Sequence, residues 1–202
     1  MKRWIGLLVL FLGGIVIGIF VFPRKTEKPL ERASTCPPSS WQAYQSLIQT
    51  ARQEKDSLFR VSSTSPIPPE KRKGFKGLRY FPLDSAWHLR GRYEPLVGAL
   101  APVIGKLHID LPVLENCQKP AALLVYGSRE GHSYVAFWDS TALQGLTYEG
   151  GRYVPVEVQG ESACIDFNRA YFPYCAYNPV YICLPYPPQN RLCIAVKAGE
   201  RW

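Results

Sequence analysis

Histidine is scarce in this chain, with three in 202 residues, and His88, His108 and His132 are singletons on expected strands or turns. Metal ligation is therefore not expected. The six cysteines, Cys36, Cys117, Cys164, Cys175, Cys183 and Cys193, include no C-x-x-C pair, which excludes the zinc-ribbon and thioredoxin-like readings. There is no G-x-G-x-x-G, no G-x-x-x-x-G-K-[ST], no G-x-S-x-G and no H-E-x-x-H, so dinucleotide, P-loop, nucleophile-elbow and zincin chemistry have no sequence support. His132 and Ser133 are adjacent, but neighbouring side chains of a strand point to opposite faces and do not make a nucleophile–base pair. Repeats, heptads and low-complexity tracts are absent too. No cofactor is expected.

What is present is enough apolar material for a core: 47% hydrophobic against 20% charged residues, a composition that folds. The net charge of +8 is unevenly spread. Residues 1–92 carry 16 Lys/Arg against 6 Asp/Glu, and residues 93–202 carry 8 against 10. The excess lies near the N-terminus and in the run Glu70-Lys71-Arg72-Lys73-Gly74-Phe75-Lys76-Gly77-Leu78-Arg79. From Lys71 to Arg79 the expected partner is an anionic lipid or cell-wall surface, not nucleic acid.

Trp4–Phe22 is a run of nineteen uncharged residues between Met1-Lys2-Arg3 and Pro23-Arg24-Lys25. As a helix it would rise about 28 Å, close to the hydrocarbon thickness of a bilayer. No small-residue cleavage site follows it directly, which favours an uncleaved anchor over a signal peptide. The expected organisation is a transmembrane signal anchor or signal peptide at 1–25, a linker at 26–38, and a single domain at 39–202. An even number of cysteines without metal spacing fits an exported domain, single-pass and facing the periplasm or cell exterior. Four cysteines crowd into residues 164–193. Cys175 and Cys183 are expected to bridge one another, and Cys164 and Cys193 to join neighbouring strands.

Ser39 or Ser40 can cap a helix in which Trp41, Tyr44, Ile48, Ala51 and Leu58 form an apolar stripe, ending near Phe59. Residues 62–74, with three prolines, read as an irregular crossing. Short runs with strand character follow at Trp87–Tyr93, Ile104–Leu111, Ala121–Tyr126, Ser133–Trp138, Arg152–Val158, Ser162–Phe167 and Leu192–Val196, with a hairpin at Arg129–His132. The fold expected is mainly β: a compact antiparallel barrel or sandwich with one N-terminal amphipathic helix, preceded by a transmembrane segment.

The most distinctive text is Asp139-Ser140-Thr141, Thr147-Tyr148-Glu149-Gly150-Gly151-Arg152-Tyr153, Asp166-Phe167-Asn168-Arg169-Ala170-Tyr171-Phe172-Pro173-Tyr174-Cys175-Ala176-Tyr177-Asn178-Pro179, Cys183–Asn190 and Ala198-Gly199-Glu200. With Gly74–Asp84, it resembles the domain of unknown function 1684 family of bacterial and archaeal proteins, from about Phe59 to the C-terminus. The resemblance implies a shared fold without a mechanism. Phe172 stands where the family tends to have Asn, and Gln189 where a Glu commonly precedes Asn190. Read physically, Asp166 and Asn168 share one strand face and the Pro/Tyr/Asn text after them forms a loop tied down by turn-capping side chains. Asp139, Arg152, Asp166, Asn168, Tyr171, Tyr174, Tyr177, Asn178 and Asn190 mix stacking surfaces with donors and acceptors, which suits a small polar ligand or a partner held around the Asp166–Asn190 loop without catalysis. The alternative is a hydrolase-like site pairing Asp166 with Asp139 or Glu200. Glu200, close to Lys197 and Arg201, also reads as a surface ion pair.

Overall fold

Six short strands alternate apolar and polar residues, and in a chain this small the apolar faces are buried by closing the sheet on itself. The computed structural model describes residues 40–96, 98, 102–111, 120 and 122–202. The stretch 4–22, the linker to 38, Cys36 and Cys117 lie outside the described residues. Among the described residues no helix is long and apolar enough to cross a membrane.

Helix α1 (Trp41–Val61) starts at Ser40, whose hydroxyl accepts the amide of Ala43. Its buried stripe is Tyr44, Ile48 and Phe59. Leu58, expected inside, is 59% exposed, because at this end the helix turns Phe59 inward. The segment expected to be irregular contains a one-turn helix, α2 (Pro69–Arg72), started by Pro69 and carrying no buried residue.

Strand β1 (Arg79–Tyr80) is followed by the barrel strands β2 (His88–Pro95), β3 (Val103–His108), β4 (Leu123–Gly127), β5 (Ser133–Phe137), β6 (Arg152–Gln159) and β7 (Ser162–Asp166). They form a closed barrel in sequence order, every neighbouring pair antiparallel. Closure falls to β2, which pairs His88–Arg92 with β7 and Arg92–Pro95 with β3. Leu107, Leu123, Val125, Val135, Phe137, Val154, Val156 and Ile165 fill the interior. Mainly β, a barrel and one long helix is therefore the architecture, with the expected hairpin at Arg129–His132 joining β4 to β5.

Leu192–Val196 is not a strand. Leu192, Ile194, Val196 and Ala198 are all buried, the period of two that suggested one. The segment instead forms a strap in the core cluster, its backbone bonded to loops and side chains: Leu192 N to Trp138 O, Ser140 N to Ile194 O, and Val196 N to Asp139 Oδ2. It leads into β8 (Glu200–Arg201), which pairs antiparallel with β1, a two-residue pairing too short to carry a sequence signal. Gly199 makes that turn possible at φ 74°, and a Cβ there would lie 2.4 Å from Ala170 O.

Asn190 occupies the opening between β4 and β5. The ladder between them covers Tyr126↔Tyr134 and Gly127↔Ser133. Further along, the Asn190 amide accepts from Leu124 N at 2.7 Å and donates to Leu124 O at 2.9 Å and Ala136 O at 2.8 Å. A side-chain amide thus acts as a peptide unit between diverging strands. Asn190→Asp keeps the shape, loses both donors and sets a carboxylate against two carbonyls. We expect a loss of about 3 kcal/mol in equilibrium denaturation, whereas Asn178→Asp, whose Oδ1 accepts only the amide of Val180, is expected to cost about 0.5 kcal/mol or less.

Candidate functional site

Arg152 opens β6 directly after Gly151 and is 1% exposed. Its Nη2 donates to Asp139 Oδ2 at 2.8 Å and to Val196 O at 2.8 Å, and its Nη1 donates to Ala198 O and Glu200 O. Asp139, 2% exposed, also accepts the hydroxyl of Thr141 and the amide of Val196. Burial pushes the Asp139 carboxyl up, opposed by Arg152, while burial pulls the Arg152 guanidinium down, opposed by Asp139. A buried ion pair of this kind persists only when its remaining donors and acceptors are met. Here the two terminal nitrogens of Arg152 are met by Asp139 and by carbonyls of the strap and the residues that follow it, while its buried Nε has no hydrogen-bond partner.

Glu200 follows at the end of the strap and is 1% exposed, not the surface ion pair its neighbours suggested. Its Oε2 accepts the amide of Phe172 and the hydroxyl of Tyr177, both at 2.7 Å, and its Oε1 pairs with Lys55 Nζ of α1 at 2.5 Å. Burial, and then Glu200, push the Tyr177 phenol far above its ordinary range. Burial does the same to Tyr80, and holds Tyr171 at about 12.

Asp166 ends β7, and Asn168 lies in the 3₁₀ turn Phe167–Arg169 beyond it. They do not share a strand face as expected, because the Asp166 carboxylate stops the strand by capping that turn. Its Oδ1 accepts the backbone and side-chain amides of Asn168, and its Oδ2 accepts the Tyr44 hydroxyl of α1. Burial, and then Asp166, raise the Tyr44 phenol strongly. The Asn168 amide pairs with both peptide groups of Asp84, at 3.0 and 2.9 Å. Its carbonyl accepts Arg52, whose guanidinium lies 4.1 Å from the Tyr80 ring centroid. Burial lowers the Arg52 pKa.

Helix α1 therefore lies on the domain through a polar seam: Tyr44 to Asp166, Arg52 to Asn168, and Lys55 to Glu200. The sequence carries a signal for this, since Arg52 lies four residues after buried Ile48 and Lys55 four residues before buried Phe59, on the apolar stripe. Arg52 Nε, Tyr80 hydroxyl and His88 Nδ1 are buried along this seam without a hydrogen-bond partner.

The loop after Ala170 is irregular, as expected, with 3₁₀ turns at Tyr174–Ala176 and Pro188–Asn190. Cys175 and Cys183 are bridged, with Cα atoms 5.9 Å apart. Cys164, on β7, and Cys193, in the strap, are each disulfide-bonded as well, but Cys193 lies on no strand, so it does not join neighbouring strands as expected. Tyr171 extends the edge of β6 by pairing with Tyr153, and Tyr177 and Tyr174 set their rings edge-on to Phe59 of α1. Tyr174 is exposed and Asn178 half-buried. The structure thus gathers Asp166, Asn168, Tyr171, Tyr174 and Tyr177 around α1, adds Glu200, and places Asn190 between β4 and β5 and the Asp139–Arg152 pair against the strap.

An open cleft of about 230 Å³ reaches Glu200. Ile67, Phe75, Phe172, Tyr177 and Trp202 supply its rings and apolar surface, and Arg79 and Arg201 also line it. Neither Asp139 nor Asp166 lines it.

A six-stranded barrel whose core is completed by a C-terminal strap, with a polar-faced helix laid against it, is the class of domain these observations define. The chain belongs to the DUF1684 family, described as proteins of unknown function, whose profile matches residues 73–201. An uncharacterised protein of Haloarcula marismortui, solved by solution NMR, is similar at 30% identity over 80% of this chain and 95% of its own, with a TM-score of 0.62. No curated protein matches. The family match takes in the barrel, the strap and the cleft-lining residues from Phe75 to Arg201, and it begins after α1.

Two outcomes follow from the seam. Lys55→Met strands the buried Glu200 carboxylate and is expected to cost about 2 kcal/mol, of which Glu200→Gln in the same chain should restore about half, since a neutral amide needs no counter-charge. Chemical denaturation of the three variants checks this. The phenols of Tyr44, Tyr80, Tyr171 and Tyr177 bind their protons more tightly folded than unfolded. Their stabilisation is complete below about pH 10 and is lost as pH rises toward the folded values. Tyrosinate absorbance should therefore appear in two phases, the second coinciding with the loss of near-UV circular dichroism.

Proposed function

We propose that this chain is a membrane-tethered, exported, non-enzymatic binding domain whose ligand site is the cleft beside Glu200. The supporting observation is how the candidate groups are used. Asp139, Arg152, Asp166, Asn168 and Asn190 are buried and hydrogen-bonded to protein partners, and the hydrolase reading needed two of the carboxylates in one cleft, whereas this cleft has Glu200 alone of the three. Phe172 and Tyr177 of the predicted loop wall the cleft, so the site stays with that loop.

The cleft's chemistry names a ligand class. Phe75, Phe172, Tyr177 and Trp202 offer ring faces, and the charge of Glu200 is answered by Lys55. Among the described residues no carboxylate pairs with Arg79 or Arg201. A small molecule with a flat apolar body and one acidic group suits this arrangement, its ring stacking and its anion meeting guanidinium. Export is supported by the bridged Cys175 and Cys183 and by the disulfide-bonded Cys164 and Cys193, which fit an oxidising compartment.

Trp202 reports on the cleft. Phenyl phosphate and benzoate are expected to quench its emission saturably, benzylamine to do so weakly, and Arg201→Gln to weaken the anions about tenfold, the loss of one charge-assisted contact. Trp202→Phe should remove the response. Equal weak quenching by all three compounds, unchanged by Arg201→Gln, would falsify the anion site.

A further inference from the structure

We propose that the disulfide-closed loop Cys175–Cys183 is a membrane-docking element, seated at the interface of a bilayer that contains anionic lipid. Residues 170–190 hold no charged side chain and no histidine. The loop turns Tyr177 inward but leaves its aliphatic residues out: Val180 is 75% exposed and Ile182 fully exposed, with the flanking Tyr174 and Leu184 also open. Leu58 and Val61, at the end of α1, are exposed as well. Soluble surfaces scatter such residues, but here Tyr174, Val180, Ile182 and Leu184 fall within eleven positions of one disulfide-closed loop and its flanks, which meets the end of α1 through Phe59.

Ring contacts connect this patch to the basic run. Tyr181 packs on Tyr174 at 5.3 Å, Tyr174 on Phe59 at 6.2 Å, and Phe59 on Phe75 at 6.3 Å. Arg60 lies over Phe75, and Lys71, Lys73 and Lys76, within four positions of Phe75 in the chain, are exposed. The surface therefore combines apolar side chains, tyrosines with polar tips, and a neighbouring cluster of cations. That combination matches the water–lipid interface: acyl chains accept Ile and Val, the headgroup zone accepts tyrosine, and anionic headgroups accept lysine. A cell-wall polymer would satisfy the cations and leave Val180 and Ile182 in water. The disulfide holds the loop in one shape before it docks, so less conformational freedom is lost on insertion.

Chain length agrees. Residues 23–39 separate the apolar run Trp4–Phe22 from Ser40, a reach of at most about 60 Å, which keeps the domain close to any bilayer that the run spans. This last step rests on the tether proposed above, whereas the surface argument does not.

The test uses the full chain carrying Ile182→Trp, an exposed site where the substitution should not disturb folding, in vesicles of phosphatidylcholine with phosphatidylglycerol. The emission difference between variant and parent isolates the new indole. A blue-shifted difference spectrum that loses about half its intensity when the lipids are brominated near the headgroup end of the acyl chain is the expected result. Changing Arg60, Lys71, Lys73 and Lys76 to Gln should restore most of that loss in anionic vesicles. A water-like, unquenched indole overturns the proposal. So does a blue shift without bromine quenching that grows with protein-to-lipid ratio, which would make the occupant a second copy of the chain. Alkaline extraction reads the tether separately. A chain that extracts but is quenched by added vesicles keeps the loop and loses the anchor, and one that resists extraction without quenching does the reverse.

Discussion

A guanidinium sealed inside a small barrel must find acceptors there, because no water reaches it to supply them. Arg152 takes three of its acceptors from the backbone of the C-terminal strap and a fourth from Asp139. Much else follows in sequence from that requirement. The strap is held in the core, Gly199 turns it, and Glu200 is delivered into the domain next to Tyr177, Phe172 and α1. Without Arg152, Leu192, Ile194 and Val196 would still be apolar, but the carbonyls of Val196, Ala198 and Glu200 would have lost its guanidinium as a donor.

The same device recurs wherever the strands stop pairing. Asn190 stands in for a peptide between β4 and β5, Asn168 does so for Asp84, and Asp139 receives the amide of Val196. Side chains with paired donors and acceptors are the natural replacement for a ladder interrupted by long loops. For that reason the most distinctive polar residues of this sequence are architectural. The proposed recognition therefore falls on the aromatic cleft and the uncharged loop.

The helix is attached by two kinds of contact with different consequences. Phe59 packs by area and tolerates small displacements, whereas Tyr44 on Asp166 and Lys55 on Glu200 are correct at one axial position only. A slip of one residue would take Tyr44 from Asp166 and Lys55 from Glu200, leaving each buried carboxylate one donor short. The polar seam thus sets the register of α1, and the apolar contacts add adhesion.

Much of the framework was legible in order of residues alone. Six of the seven expected strands, the Ser40 cap, the single long helix and the Cys175–Cys183 bridge all follow from local rules of period, capping and spacing. Leu192–Val196 alternates like a strand and is not one, because alternation reports burial and is blind to which groups bond the backbone. Glu200 stays ambiguous in the sequence, and Arg52 and Lys55 mark only an interruption of the stripe, because a charge there gains meaning from what faces it. The sequence by itself determined which residues must be covered and which chain segments could be regular. Only the tertiary structure decided which polar groups meet, since Arg152 with residue 198, Tyr44 with Asp166 and Lys55 with Glu200 are joined across 46 to 145 positions, and no local periodicity encodes a contact of that separation.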